Sequence, residues 1–235
     1  MPNPPLVFVD SDVVIQTVLA SAFPIFRFLK SVYAIQPVIV PEVEVELRSL
    51  RKFKAQVTPV ITKAISNGNL KVFDAAAFAF LATHNPAFQI ASAGVSYTDI
   101  QILGAALHRR VDRGEAYTFA TAQKLNLPAI SNDFSAIQVL LKTGIPLPPS
   151  ICRTYDLIAL SYQAGHHSEQ SCEDFRRALL VGHEHIQAEF RSCSFREGIV
   201  RFCPRLIDDS KVRVGIAYSG APGFQAPVLI SAAQK

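Results

Sequence analysis

Four carboxylates stand at the edges of apolar segments in this chain: Asp10, Glu46, Glu115 and Asp133. Asp10 ends the apolar run Leu6–Val9, Asp133 ends a second run, and a helical pattern follows each acid. The carboxyl ends of parallel strands share one edge of a sheet, where open α/β folds bind ligands. Because crowded carboxylates repel one another, such a cluster makes sense mainly when a divalent cation neutralises it. The pattern therefore predicts a metal site with oxygen ligands at that edge.

Short strands separated by helices are the elements that must position these acids. Helical periodicity fills most of the intervals between strands, and Pro41 suits the first turn of the helix that carries Glu46. Residues 84–95 are predicted to be a loop. Strand–helix alternation of this kind is typical of an α/β fold with a parallel sheet. The predicted strands are Leu6–Val9, Val38–Val40, Leu70–Phe73 and Ala129–Ser131.

The chain changes character near residue 150. The proline-rich segment 146–149 is typical of a boundary between two parts of a chain. We predict one domain over residues 1–150 and a C-terminal extension over residues 151–235. The extension is predicted to be helical over 155–164 and 168–190 and partly irregular from 191 onward.

Composition limits the classes of protein to which the chain can belong. The longest apolar stretch, Ala75–Ala82, is far shorter than the ~20 residues that cross a bilayer, so no membrane association is expected. No basic segment precedes the first apolar run, and the four cysteines form no CxxC pair, so we expect reduced thiols in the cytoplasm. The net charge of +4 permits binding to a polyanion, and basic residues flank Glu46 and Glu115 in sequence.

Other catalytic motifs are missing from the sequence. It contains no glycine-rich phosphate loop and no Gly-x-Ser-x-Gly nucleophile motif. The histidines and cysteines after residue 150 have spacings that fit no familiar zinc site. Each of the four acids alone would be read as a helix cap or a first-turn acid. Their ordered coincidence is what favours a metal site.

The segments around the four acids resemble, in the same order, those of the PIN-domain nucleases, a Mg²⁺- or Mn²⁺-dependent family that usually cuts RNA. The resemblance covers about the first 145 residues, and the 18 residues from Glu115 to Asp133 match the family's usual spacing. Asp12 departs from the pattern, since relatives usually have a small polar residue there. The segments that carry the resemblance are 7–15 (VFVDSDVVI), 40–47 (VPEVEVEL), 114–120 (GEAYTFA) and 130–133 (ISND).

The third acid has two candidates. Residues 96–100 (SYTDI) also resemble a third-acid motif, because some relatives have an aspartate there and an insertion before the last strand. Either Asp99 or Glu115 could therefore be the third acid. The spacing and the preceding glycine favour Glu115, with Asp99 as the alternative.

The resemblance implies a three-layer α/β/α domain and a divalent-metal-dependent endoribonuclease. Asp10 and Asp133 are expected to contact Mg²⁺ or Mn²⁺, while Glu46 and Glu115 bind a second ion or orient water. Toxin ribonucleases of toxin–antitoxin pairs are the nearest category, although 235 residues is long for them. Expected partners are an RNA substrate, a protein inhibitor or antitoxin, and a second copy of the chain. The competing hypotheses are a PIN-like RNA-binding or scaffold module without catalysis, and a structure-specific DNA nuclease.

Overall fold

A sheet of five parallel strands lies at the centre of the molecule. The computed structural model describes residues 6–21, 24–142, 144, 146–148, 151–182 and 191–202. The strands follow the order β3-β2-β1-β4-β5, and every neighbouring pair is parallel. The sequence prediction of an α/β fold with a parallel sheet is confirmed. The strands are β1 (Leu6–Val9), β2 (Gln36–Ile39), β3 (Lys71–Val72), β4 (Ala129–Ile130) and β5 (Ile151–Cys152).

Helices flank the sheet and make up most of the remaining described chain. Helix α8 packs against β1 and β4, α2 packs against β2, and α7 packs along α8. The helices are α1 (Ser11–Leu19), α2 (Pro24–Tyr33), α3 (Pro41–Ser49), α4 (Lys54–Ser66), α5 (Ala75–His84), α6 (Pro86–Ala91), α7 (Tyr97–Leu107), α8 (Arg113–Lys124), α9 (Phe134–Lys142), α10 (Thr154–Gln163), α11 (Glu169–Gly182) and α12 (Phe195–Phe202).

The central strands are apolar because helices cover the sheet. Every residue of β1, β2, β4 and β5 is buried, as expected for a parallel sheet packed between helices. Phe8 of β1 meets Phe73 edge to face, with ring centroids 5.1 Å apart. Burial of these side chains supplies the hydrophobic free energy that holds the strand ends in place.

The strand order creates a crevice between β1 and β4. The chain moves outward from β1 to β2 and β3, and then returns to add β4 and β5 on the other side of β1. Ligands of open α/β sheets bind at such a reversal, outside the carboxyl ends of the strands. The backbone N–H of Asp10 donates to the carbonyl of Ile130 at 2.9 Å, which places the two strand ends side by side.

Two local features differ from the sequence predictions. The loop predicted over residues 84–95 is wrong in its first half, because α6 begins at Pro86 and the Asn85 side chain caps it by accepting from the N–H of Phe88 at 3.2 Å. Strand β5 was not predicted, and it lies directly after the boundary placed at residue 150. The sheet therefore takes residues from both sides of that boundary.

The described part of the C-terminal segment is mainly helical. Helix α10 packs against α1, α2 and α11, and the hydroxyl of Tyr155 donates to the carbonyl of Phe195 at 2.8 Å. The helix predicted over 168–190 is described as far as Gly182, and residues 183–190 and 203–235 lie outside the described residues. Within the described chain no single helix is long and apolar enough to cross a bilayer; only the bent pair α1–α2 reaches that length and composition together.

Candidate metal centre

Asp10 is the buried centre of the site. It follows β1 directly and is 1% exposed. Its Oδ1 accepts from the backbone N–H of Ser11 at 2.7 Å, and its Oδ2 accepts from the hydroxyl of Ser131 at 3.3 Å. Burial raises the pKa of Asp10 well above its ordinary value, and the charges of Asp12 and Glu46 raise it further. The Asp10 carboxylate is thus held in an environment that disfavours its own charge.

Glu46 reaches the site from α3, and the start of α8 holds its carboxylate. Its Oε1 accepts from the backbone N–H of Gly114 at 2.8 Å, and the side chain of Ser11 also hydrogen-bonds to it. Burial raises the pKa of Glu46, while these two hydrogen bonds oppose the shift. A helix N-terminus suits a carboxylate because its first N–H groups have no partner within the helix.

The glycine before Glu115 is required by this contact. A Cβ atom at position 114 would meet Oε2 of Glu46 and would lie 2.9 Å from its Cδ atom. Only a residue without a side chain therefore allows the Glu46 carboxylate to approach the α8 backbone. The Gly114-Glu115 pair serves two acids, since the glycine positions Glu46 and the next residue is itself in the site.

Glu115 is a neighbour of Asp133 in the site, and the charge of Asp133 acts on its carboxyl group. Glu115 is 5% exposed, and burial, followed by the charges of Asp10 and Asp133, raises its pKa to about 10. This direction of shift favours the protonated form of Glu115. Asp133 also caps α9, because its Oδ1 accepts from the N–H groups of Ser135 and Ala136 at 2.7 and 3.0 Å.

The structure brings Asp10, Glu115 and Asp133 together, with Glu46 beside Asp10. The contacts of Asp99 are at the start of α7. It forms a capping box with Ser96 at the start of α7, and hydrogen bonds from the Ser96 hydroxyl and backbone lower its pKa. Of the two candidates for the third acid, Glu115 is the one that interacts with Asp10 and Asp133.

A fifth carboxylate, Asp12, was noted in the sequence only as a departure from the family pattern and was not assigned to the site, and the groups that hold the acids were not predicted. Asp12 raises the pKa values of Asp10, Glu46 and Glu115. The sequence held a signal for it, since Asp12 lies two positions after Asp10 in the first turn of the same helix. Ser11 and Ser131 carried no comparable signal, because their partners are set by the fold.

A partly buried polar network supports the strand end that carries Asp133. The side-chain N–H groups of Asn132 donate to Gln16 at 2.7 Å and to the Thr154 hydroxyl at 2.8 Å. The backbone N–H of Thr154 returns a hydrogen bond to Asn132 Oδ1 at 2.9 Å. The residue before Asp133 is thereby fixed to α1 and to the first residue of α10.

The donor set suits a hard divalent cation. Among the described residues, no ion pair joins a lysine or arginine to Asp10, Glu46, Glu115 or Asp133. The same part of the chain contains no group of three or more His, Cys, Asp or Glu side chains close enough to hold a metal ion as they stand. The residues fit an ion such as Mg²⁺, which binds through one or two carboxylates and keeps several waters.

No family model, no curated protein and no solved structure matches the chain. What is shown is therefore a parallel five-stranded α/β fold with acids gathered at the carboxyl ends of β1 and β4. A function for this site must be argued from its own chemistry.

Proposed function

We propose that this protein is a divalent-metal-dependent endoribonuclease of the PIN type, acting in the cytoplasm. One observation carries the proposal: at the crevice between β1 and β4, the charges that act on the buried carboxyl groups of Asp10 and Glu115 come from other carboxylates. Such a cluster lowers the stability of the protein, so it is best explained by a cation that binds there. Mg²⁺ or Mn²⁺ matches the oxygen donors.

Each acid has a distinct part in the proposed chemistry. Asp10 and Asp133 would supply ligand oxygens to the metal from two neighbouring strand ends. Glu46, whose carboxylate accepts from the Gly114 N–H, would orient a water molecule for attack on phosphorus. Glu115, whose pKa neighbouring carboxylates raise, would ionise when a cation binds beside it, because positive charge favours the carboxylate form. The bound metal would supply charge stabilisation of the phosphodiester during hydrolysis.

Exposed basic side chains support a polyanionic substrate. Arg51 and Lys52 follow the helix that carries Glu46, and Arg109, Arg110 and Arg113 lie just before Glu115; all five are exposed. Cations near the acids would hold the phosphate backbone without reading its sequence. RNA as the substrate, and a protein inhibitor of the antitoxin kind as a partner, follow from the resemblance to PIN nucleases.

A second function is a PIN-like RNA-binding module without catalysis. The observation that favours it is the lack, in the described chain, of three ligand side chains already assembled around a point. In that case RNA would bind through the basic groups, and the acids would bind no metal.

Cleavage of a mixed RNA pool separates these functions. We would measure it with Mn²⁺, with Mg²⁺ and with a chelator, comparing wild type with Asp10→Asn and with Asp99→Asn. The proposal expects metal-dependent cutting that Asp10→Asn abolishes and Asp99→Asn retains. RNA binding without cutting would support the binding module. Cutting by Asp10→Asn at the wild-type rate would exclude this site.

Metal binding can also be measured without RNA. A ligand that binds only the folded state at a concentration of 100 times its Kd adds about 2.7 kcal/mol to the free energy of unfolding. We expect Mn²⁺ to stabilise wild type in this way and to have little effect on Asp10→Asn. Equal stabilisation of both proteins would show that the ion binds elsewhere.

A further inference from the structure

Glu42 is a buried carboxylate outside the metal centre. It lies in the first turn of α3, is 9% exposed, and its Oε2 has no hydrogen-bond partner among the described residues. No lysine or arginine in that part of the chain forms an ion pair with it. A buried acceptor without a donor lowers the stability of a protein, so Glu42 requires an explanation other than stability.

The other two acids of α3 have the partners that Glu42 lacks. Glu44 forms an ion pair with Arg48 at 2.7 Å, and Glu46 accepts from the backbone N–H of Gly114 at 2.8 Å. The dipole of α3 favours an acid in the first turn, but this interaction does not require the carboxyl group to be buried. Stabilisation of the helix therefore does not account for the position of Glu42.

The neighbours of Glu42 are polar but include no cation. Burial, followed by the charges of Glu42 and Asp74, raises the pKa of Tyr97, so both carboxyl groups lie near the Tyr97 hydroxyl. Gln101 lies one turn after Tyr97 on the same face of α7, and both side chains are partly exposed. Residues 75–107, which form α5, α6 and α7, contain no lysine or arginine. A partner for the Glu42 carboxylate is therefore to be sought in a ligand.

These groups lie at the same edge of the sheet as the metal centre. Glu42 follows the carboxyl end of β2, and Asp74 follows that of the neighbouring parallel strand β3. Ligands of open α/β sheets bind outside this edge. Glu42 also precedes Glu46 by four residues, so the two side chains share a face of α3 and stand about 6 Å apart along its axis. A group bound at Glu42 would thus lie next to a phosphate at the metal centre.

We propose that Glu42 is a specificity-determining residue that binds the Watson–Crick edge of a guanine base in the RNA substrate, with the ring of Tyr97 beside the base. This inference rests on the proposed nuclease function and specifies one nucleotide of its substrate. Proteins recognise single-stranded RNA by hydrogen bonds to the Watson–Crick edges of bases and by stacking the bases on aromatic rings. Tyr97 is partly exposed, so part of its ring can contact a base.

Guanine is the base whose edge complements a carboxylate. Its N1–H and N2–H donors lie side by side and match the two oxygens of an ionised carboxyl group. Adenine and cytosine have a ring-nitrogen acceptor next to the amino group, and uracil has one donor between two carbonyl oxygens, so each would place an acceptor against the negative charge. The last side-chain torsion of a glutamate is broad, so either oxygen of Glu42 can turn towards the base.

Cleavage of matched RNAs tests the preference for guanine. We would map the cut sites of wild type in a random single-stranded RNA pool with Mn²⁺, and then vary the enriched position in a defined oligonucleotide. A bidentate contact to a base discriminates by about 5- to 150-fold, which is the expected fall in kcat/KM when uracil replaces guanine. Inosine keeps the N1–H and lacks the 2-amino group, so its kcat/KM should lie between the two. Cut sites without enrichment of guanine would overturn the proposal.

Glu42→Gln changes one acceptor into a donor while nearly keeping the shape of the side chain. A glutamine amide matches adenine, which has a donor beside an acceptor, so the preference of the variant should move from guanine to adenine. Glu44→Gln on the same helix is the matched control and should keep the preference of wild type, since the partner of Glu44 is Arg48. Circular dichroism checks that both variants are folded. A Glu42→Gln variant that still prefers guanine as wild type does would overturn the proposal.

Binding without cleavage separates this inference from the nuclease itself. Fluorescence polarisation in chelator would compare labelled five-nucleotide RNAs that differ only in a central guanine or adenine. Wild type should bind the guanine RNA more tightly, and Glu42→Gln should reverse the order. This preference without any cutting would exclude the nuclease and keep the guanine site, whereas equal binding and equal cutting of the two RNAs would overturn the inference. Mn²⁺ stabilisation of Asp10→Asn that a further Glu42→Gln change removes would assign Glu42 to a cation and would also overturn it.

Discussion

Carboxylates in two regions of the molecule have opposite electrostatics: those at the β1–β4 crevice and Glu173 in α11. At the β1–β4 crevice, burial and neighbouring acids raise the pKa of Glu115 to about 10. In α11, hydrogen bonds from Arg176, from the Phe195 N–H and from Arg177 lower the pKa of Glu173 to about 2. The Glu173 oxygens accept from Arg176 at 2.7 Å and from the Phe195 N–H at 2.8 Å.

Glu173 has the contacts of a carboxylate that stabilises the fold. It accepts hydrogen bonds from a guanidinium group and from a backbone N–H, and so it connects α11 to α12. Glu115 instead faces Asp10 and Asp133, and the described residues provide it with no cation. The crevice thus retains electrostatic repulsion that the same chain relieves elsewhere, which is expected where a cation is to be bound.

Among substitutions that leave the four acids themselves unchanged, the largest predicted effect comes from Gly114→Ala. The new Cβ would collide with the Glu46 carboxylate and displace it from the α8 N-terminus. A displacement of about 1 Å at a catalytic group can cost on the order of 10²-fold in rate, so we expect a loss of metal-dependent cleavage of that size. Steady-state cleavage assays on the folded variant measure it.

Gly94→Ala is the control for a glycine substitution in itself. Gly94 has φ of +74°, and a Cβ added there would meet no atom within 4 Å, so alanine strains the backbone without touching the acids. We expect a loss of about 1 kcal/mol in the free energy of unfolding and unchanged cleavage. Equal activity of Gly114→Ala and Gly94→Ala would show that Glu46 needs no positioning.

The contributions of Glu115 and Glu173 to the stability of the protein should depend on pH in opposite directions. The pKa of Glu115 is about 10 in the folded state against 4.5 normally, so the folded chain holds a proton that the unfolded chain releases. Its contribution to stability therefore falls as pH rises from about 4.5 towards 10. The pKa of Glu173 is lowered to about 2, so its contribution is present above about 4.5 and is lost as pH falls towards 2.

Urea unfolding in chelator from pH 3 to pH 9 tests this contrast. Glu115→Gln should gain about 1–3 kcal/mol relative to wild type at the alkaline end, and Glu173→Gln should lose about 1 kcal/mol at neutral pH. The difference between Glu173→Gln and wild type should shrink in acid. If the free energy of unfolding of Glu115→Gln changed with pH in parallel with that of wild type, the raised pKa of Glu115 would be contradicted.

The sequence predicted the parts of the fold that local patterns determine. Apolar runs ending in Asp10 and Asp133 identified β1 and β4 because strand residues buried on both faces form continuous apolar segments. Strand β5 has two residues and cannot show a period. Helix α6 has six residues, and its Asn85-Pro86 start has the composition of a turn.

The candidate site was predictable in its acids but not in their supports. The acids follow strands or begin helices, and these positions can be read from neighbouring residues. The Gly114–Glu46 contact joins residues 68 positions apart, and the Ser131–Asp10 contact joins residues 121 apart. Pairings at such separations are set by sheet order and helix packing, so no local pattern reveals them.

The smallest predicted effect tests whether residues after 150 support the acids. Thr154→Val keeps the shape of the side chain and the backbone N–H bond to Asn132, but removes the hydroxyl that accepts from Asn132. We expect a loss of about 1 kcal/mol and a modest fall in cleavage, because Asn132 precedes Asp133. Thr118→Val in α8 is the matched control, since the buried Thr118 hydroxyl has no hydrogen-bond partner among the described residues and its removal should be neutral or stabilising. If both valine variants had the stability and the cleavage rate of wild type, the Thr154 hydroxyl would not help to position the acids. In that case α10 would only cover the sheet, and the strand ends themselves would hold the acids in place.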